Sequence, residues 1–287
     1  MMSNQSLQRQ QGMALFQVLL MVAIISVLLI IMSQQTQSSV SRAQTMQQQV
    51  ETQLALESSA AYVDSLLLSN EWLSARSDES HPLHQINFYG GKTSVALPER
   101  LAYAALNYQV SLQLQNEASL FDINYRPNDV QQLLLLQGIE AAQAEAMIRE
   151  LKDYLQRPDA MLIQQLGDLL QLSLWDVATL DRIAPFVSVN APTFNPVWAP
   201  DELLPILLSQ GQADTIRSLR KTNEISAGLL QEFAAERDVL DSGIFPGVSQ
   251  RVRLTSENTG LQLYREVDYR PRHPSPLRRH AKQFRQE

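Results

Sequence analysis

Side chains able to do chemistry are sparse in this chain, and their spacing decides what they can do. His81 and His84 stand either side of Pro82-Leu83 in a polar stretch and could form half of a metal site. No third ligand lies near them in sequence, so a pair of surface histidines is the simpler reading. Asp122, Asn124, Asn128 and Asp129 could offer oxygen ligands to Ca²⁺ at an expected strand-to-helix junction. Their spacing matches no calcium loop, and capping of the following helix accounts for Asp129 without a metal. Serine, histidine and aspartate are present but form no nucleophile motif such as Gly-x-Ser-x-Gly. The absence of cysteine excludes disulfides, thiol catalysis and cysteine metal sites. An enzyme is therefore not expected, no catalytic residue is assigned, and calcium is the one candidate cofactor.

The elements that would carry these residues begin with an apolar segment. Met13 to Met32 is twenty residues in which only Gln17 and Ser26 are polar. At about 1.5 Å per residue, such a helix covers the ~30 Å hydrocarbon core of a bilayer. The preceding residues, Met1 to Gly12, are polar with Arg9 as their single charge. A helical pattern free of Gly and Pro then continues to about Leu73, with Val50, Leu54, Ala61 and Leu68 as its expected buried stripe. The alternative is two helices broken within Ser33–Ser41.

After a loop at Arg76–Pro82, short alternating runs predict a small antiparallel sheet. Ile86 and Phe88 lead through a Gly90-Gly91 turn into Thr93–Leu97. Tyr108, Val110, Leu112 and Leu114 alternate strictly, and Ser119–Asn124 follows a turn at Asn116–Ala118. From Pro127 to about Leu240 the pattern is helical, with Asn128 or Asp129 as first cap and loops at Gly138, Arg157-Pro158, Leu172-Ser173, Pro192–Pro200 and Gly211. Strand signals return after Phe245-Pro246-Gly247, in Arg251–Ser256 and Leu261–Tyr269 around an Asn258-Thr259-Gly260 turn. The expected fold is α+β, with a long helix packed on a small antiparallel sheet and an all-helical segment inserted between its strands. The tail from Arg270 has three prolines and six Lys/Arg and is expected to be disordered.

Within the helical segment, Leu133-Leu134-Leu135-Leu136-Gln137-Gly138-Ile139 with Ala144, Met147 and Ile148 fits a helix-hairpin-helix pattern, with Gly138 supplying the turn. Such hairpins can bind nucleic-acid phosphates through backbone amides. Charge argues against it here. Asn128–Phe245 has 8 Lys/Arg against 17 Asp/Glu, and the whole chain carries −7, so a duplex would be repelled and no nucleic-acid partner is expected.

Three readings fit the N-terminus: a secretory signal peptide, an uncut signal anchor, or a leader removed before the apolar helix. The apolar run is longer than a signal peptide's and no Ala-x-Ala site follows it. The wording Gly12-Met13-Ala14-Leu15-Phe16-x-Val18-Leu19-Leu20 resembles the start of type IV pilins and type II secretion pseudopilins. The resemblance implies cleavage between Gly12 and Met13 by a prepilin peptidase, and methylation of the new Met13 amine. Most of that family have Glu where this chain has Gln17. A carboxylate in a bilayer costs about 2.5–3.5 kcal/mol, so that Glu marks a function, and the K subunit of the minor pseudopilins regularly lacks it.

The length, 287 residues, and the helical segment with its SAM-like look also resemble the K subunit (general secretion pathway protein K). The resemblance implies an inner-membrane chain, single-pass, with its bulk in the periplasm. Its partners would be other minor pseudopilins, the major pseudopilin and the prepilin peptidase. Its role would be at the pseudopilus tip, in protein export across the outer membrane. Related pseudopilins bind calcium. The alternatives are a minor pilin of a type IV pilus and an uncut membrane-anchored binding protein. The implied organisation is a leader at 1–12 and a transmembrane helix at 13–32, followed by a pilin-like part at 33–127. A helical insert at 128–246, returning strands at 247–270 and the tail at 271–287 complete it.

Overall fold

The computed structural model describes residues 4–69, 80–95, 109–189, 191, 194–222, 248–270 and 273–286, with backbone only for 4–15 and 95. Two units are distinguished, residues 1–53 and Leu54–Glu287. Helix α1, Asn4–Ser69, starts in the first unit and ends in the second, with no break within Ser33–Ser41. The expected positions beyond Ser69, the 76–79 part of the first loop, Ala96-Leu97, Tyr108, Pro192 and the stretch from Asn223 to Gly247 lie outside the described residues.

In the second unit, five strands among the described residues form one antiparallel sheet in the order β1-β2-β5-β6-β7. They are β1 Tyr89–Val95, β2 Val110–Asn116, β5 Ser249–Ser256, β6 Leu261–Tyr269 and β7 Leu277–Gln286. The closing feature is the pairing of β2 with β5, from Val110↔Ser256 to Asn116↔Gln250. Strands over 130 residues apart in sequence are thus neighbours. The β5–β6 hairpin turns at Gly260, whose φ of 68° suits a residue without Cβ.

The last turns of α1 pack Leu56, Ala60, Val63 and Leu67 against Phe88, Leu112, Leu114, Val252, Leu254, Leu263 and Val267. This stripe differs from the expected one. Leu54 is exposed, Ala61 is exposed and Leu68 is only partly buried. The buried face runs through a small residue, Ala60, because a helix lying on a sheet needs a low ridge where the two backbones approach. Counting only large apolar residues misses it.

Between β2 and β5 lie short helices around a second apolar cluster, which draws on residues from Leu120 to Ile216. They are α2 Pro127–Leu136, α3 Ala141–Leu155, α4 Val177–Ile183, α5 Leu204–Leu207 and α6 Gln210–Thr222. The α2–α3 hairpin turns at Gly138, at φ 81° as anticipated, and Ile139 N–H closes on Leu134 O at 3.0 Å. In α3 the buried residues Ala144, Met147, Ile148 and Leu151 recur at the helical interval.

Several expectations need correction. Ser119–Asn124 is no full strand. Glu117–Ser119 is a 3-10 turn and only β3, Phe121–Asp122, is extended, pairing in parallel with β4, Val187–Ser188. Neither Asn128 nor Asp129 caps α2. Arg126 holds that position and Pro127 opens the first turn. Gly211 lies in α6 rather than in a loop. Gly90-Gly91 is not a turn. It forms a bulge inside β1, where Gly90 has φ 81° and Gly91 N–H donates to Asn87 Oδ1 at 2.9 Å. The basic tail is not without structure either. From Leu277 it forms β7, a ten-residue strand that pairs along β6 with one register shift at His280. Backbone pairing and ion pairs supply what its few apolar side chains do not.

Candidate functional site

The first unit holds the one helix, among the described residues, long and apolar enough to cross a membrane. From Phe16 to Met32 its large apolar side chains are 45–67% exposed. Fully burying each such side chain gains about 1.5–3 kcal/mol, so this surface favours an apolar surrounding on every side. Ser26 fits that demand, since its hydroxyl donates to Val22 O at 2.8 Å within the helix. Gln17 is exposed on the same surface. Gly12 and Met13 lie within α1, where only the backbone is described.

In the second unit, a buried ion pair fixes the end of α1 on the sheet. Arg265 of β6 donates through two nitrogens to Asp64, at 3.0 and 2.5 Å, and Tyr269 OH donates to the same carboxylate at 2.7 Å. All three side chains are buried. Burial opposes the Arg265 charge, but hydrogen bonding and attraction to Asp64 outweigh it and raise its pKa. Burial and the Asp64 charge push the Tyr269 phenol well up. Arg279 of β7 reaches Asp64 at 3.5 Å, and Lys282 pairs with Glu57. The sequence carried one signal for this cluster: Arg265 occupies an inward position of a strand whose other inward residues are Leu263, Val267 and Tyr269.

Three groups tie the sheet to the helical part. Trp198, from the segment between β4 and α5, is buried in the sheet-side core and meets Phe88 edge-on at 5.5 Å. Gln115 donates to its carbonyl at 3.3 Å. Arg251 of β5 donates to Ala184 O at 2.9 Å, Val187 O at 2.7 Å and Glu117 at 3.2 Å. Arg220 of α6 donates to Val197 O, Ala199 O and Asp201, and lies 4.3 Å from the centre of the Tyr89 ring. None of these was singled out from sequence, because a tryptophan in a loop gives no periodic signal and an arginine in a strand or helix reads as a solvated position.

Each of the calcium candidates already has a hydrogen-bond or ion-pair partner. Asp122 is fully buried and accepts from the N–H groups of Asn124, Tyr125 and Ala191 at 2.9, 3.1 and 2.7 Å. Burial pushes its carboxyl up, against the pull of those donors. Asn124 spends both ends of its amide on the backbone, donating to Ile163 O and Val189 O and accepting from Ile163 N–H. Asn128 accepts from Lys152, and Asp129 pairs with Arg126. An oxygen already facing N–H groups or a cation is poorly placed to ligate Ca²⁺, so the residues present do not fit the ion. They fit a polar clasp that joins β3, the loop before α4 and the segment after β4. His81 is likewise used locally, accepting the Leu83 N–H at 3.1 Å at the start of a 3-10 turn.

No family model matches the chain, and no curated protein matches it. Among solved structures, one chain of the crystal structure of the GspK-GspI-GspJ complex from the enterotoxigenic Escherichia coli Type 2 Secretion System is similar. The likeness covers 85% of this chain and 100% of that one, at 16% identity and a TM-score of 0.41. At that identity and score it assigns no residue a role.

Proposed function

We propose that this chain is a minor pseudopilin of a type II secretion system, of the K-subunit kind. The observation that carries the reading is helix α1. One helix contains the Gly12-Met13 junction, a bilayer-length apolar surface and the face that packs on an antiparallel sheet. In this reading the prepilin peptidase cuts after Gly12 and the Met13 amine is methylated. The apolar part of α1 sits in the inner membrane and then among the helices of neighbouring pseudopilins, with residues 33–287 in the periplasm. No catalysis and no metal is invoked; the work is assembly.

Gln17 supports a tip position. A subunit with nothing above it needs no carboxylate for the amine of a next subunit, and an uncharged amide avoids the cost of burying a lone carboxylate. The helices between β2 and β5 add bulk, proposed here as an inserted segment 128–246 that blocks further growth above. Intact mass of the protein from membranes tests the reading first. We expect a chain beginning at Met13 with one added methyl, and an uncut chain for Gly12→Leu. Retention of Met1 or Met2 in the unaltered protein, or full secretion in a host expressing Gly12→Leu alone, would overturn it.

A further inference from the structure

Among the described residues, the sheet ends in two unlike edges. β1 is seven residues long, with a bulge at Gly90-Gly91 near its start. β7 is ten residues long, carries one register shift of its own at His280 and, among the described residues, pairs on one side only. About half of its N–H and C=O groups therefore point away from β6. It carries Arg278, Arg279, Lys282 and Arg285, with His280 and no carboxylate.

The register with β6 sorts these charges. Arg279 and Lys282 lie on the α1 side and meet Asp64 and Glu57. His280 lies 3.0 Å from Asp268. Arg278 pairs across from Asp268 and Arg285 across from Gln262, on the other face. Arg285 donates to Gln283 and lies 5.3 Å from the Tyr264 ring centre, and neither arginine forms an ion pair among the described residues. Two such edges would set arginine beside arginine, which disfavours self-pairing.

We propose that the outer edge of β7 accepts an extended acidic segment of a partner protein as a sixth strand. Its main chain hydrogen-bonds to β7, and its carboxylates meet Arg278 and Arg285. The inference rests on the sheet alone and holds whether or not the secretion reading does.

The test uses the full chain in detergent and a fluorescein-labelled ten-residue peptide of alternating Glu and Val, followed by fluorescence anisotropy. We expect saturable binding, at least tenfold weaker for Arg278→Glu/Arg285→Glu and absent for a Lys-Val peptide. N-methylation of alternate peptide amides keeps the charge but removes donors, and should abolish binding. Equal binding of the methylated peptide would reduce the site to a charged surface and overturn the proposal. So would unchanged affinity in the double variant, or displacement by dihexanoyl phosphatidylglycerol as effective as by unlabelled peptide. Self-association of the chain that is lost on charge reversal would also overturn it. If the reversed chain fails to fold by circular dichroism, Arg278→Gln/Arg285→Gln takes its place, and less than threefold weakening there counts against the strand.

Discussion

The two apolar cores of the second unit are built in opposite ways. The helical core takes its residues from one stretch, Leu120 to Ile216, mostly from neighbours in sequence. The sheet-side core gathers Leu56 to Leu67, Phe88, Val110 to Leu114, Trp198 and Val252 to Tyr269. The partners in its buried ion pair, Asp64 and Arg265, are 201 residues apart. Local contacts form early, whereas distant ones wait for loop closure. The helical core should therefore fold first, and the sheet should close around it. The difference teaches where each core is vulnerable: the helical core to losses of apolar volume, the sheet-side core to the loss of single long-range links.

The largest effect should come from the ion pair. Asp64→Ala leaves Arg265 buried without its partner, and breaking such a pair costs about 3–5 kcal/mol. Hydrogen exchange should show β5, β6 and β7 opening while α2 and α3 stay protected. Simultaneous loss of protection in α2 and α3 would break the comparison. Asp64→Leu/Arg265→Met, which removes both charges, should recover most of the loss in urea unfolding.

Trp198→Ala comes next. Truncating a buried aromatic costs about 3–5 kcal/mol in general, and here part of the space can collapse around Phe88. Because Trp198 belongs to one region by sequence and to the other by packing, its loss should split one unfolding transition into two. A single transition of unchanged slope would show that Arg251 and Arg220 suffice to hold the cores together.

How much of this was legible in the sequence follows the same division. Leu261–Tyr269 and the Gly138 turn were readable residue for residue, because alternation and a positive-φ glycine are local signals. The returning strands were visible, but the pairing of β5 with β2 rather than β1 is a long-range fact that no local pattern carries. The basic run Arg278–Arg285 reads as solvated chain because its stability lies in β6 and in two acidic residues of α1. At the clasp, Asp122 and Asn124 stand out in sequence as oxygen donors, but which groups they face is set by segments distant in sequence. Their oxygens accept from backbone N–H groups.

Asn124→Ala should cost about 1–3 kcal/mol by leaving Ile163 and Val189 backbone groups unpaired, with the loss confined to the helical core by hydrogen exchange. Added Ca²⁺ should leave the unfolding midpoint of the unaltered chain in place; a rise that Asp122→Asn removes would restore the metal reading.

The smallest effect is that of pH. Burial works against the Asp268 charge, but Ser249, His280 and Arg270 hold its carboxyl below the usual range. A carboxylate with a lowered folded pKa contributes stability that is present above its unfolded value, near 4, and is lost as pH falls through the folded one. Asp268→Asn should remove that acid-side slope in a stability profile from pH 5 to pH 2 and leave the helical core's profile unchanged. An unaltered slope would place the acid sensitivity elsewhere.

The pairing of Asn116 with Gln250 has an evolutionary consequence. Paired strand residues stand only about 5 Å apart, so the chain leaves the sheet and re-enters it at almost the same point. A lineage could acquire or discard everything between them in one genetic event, with a two-residue turn taking its place, and every other strand register would survive. The sheet is thus a socket whose contents can diverge on their own clock, and homologues should differ in length there by whole cassettes sooner than by scattered insertions.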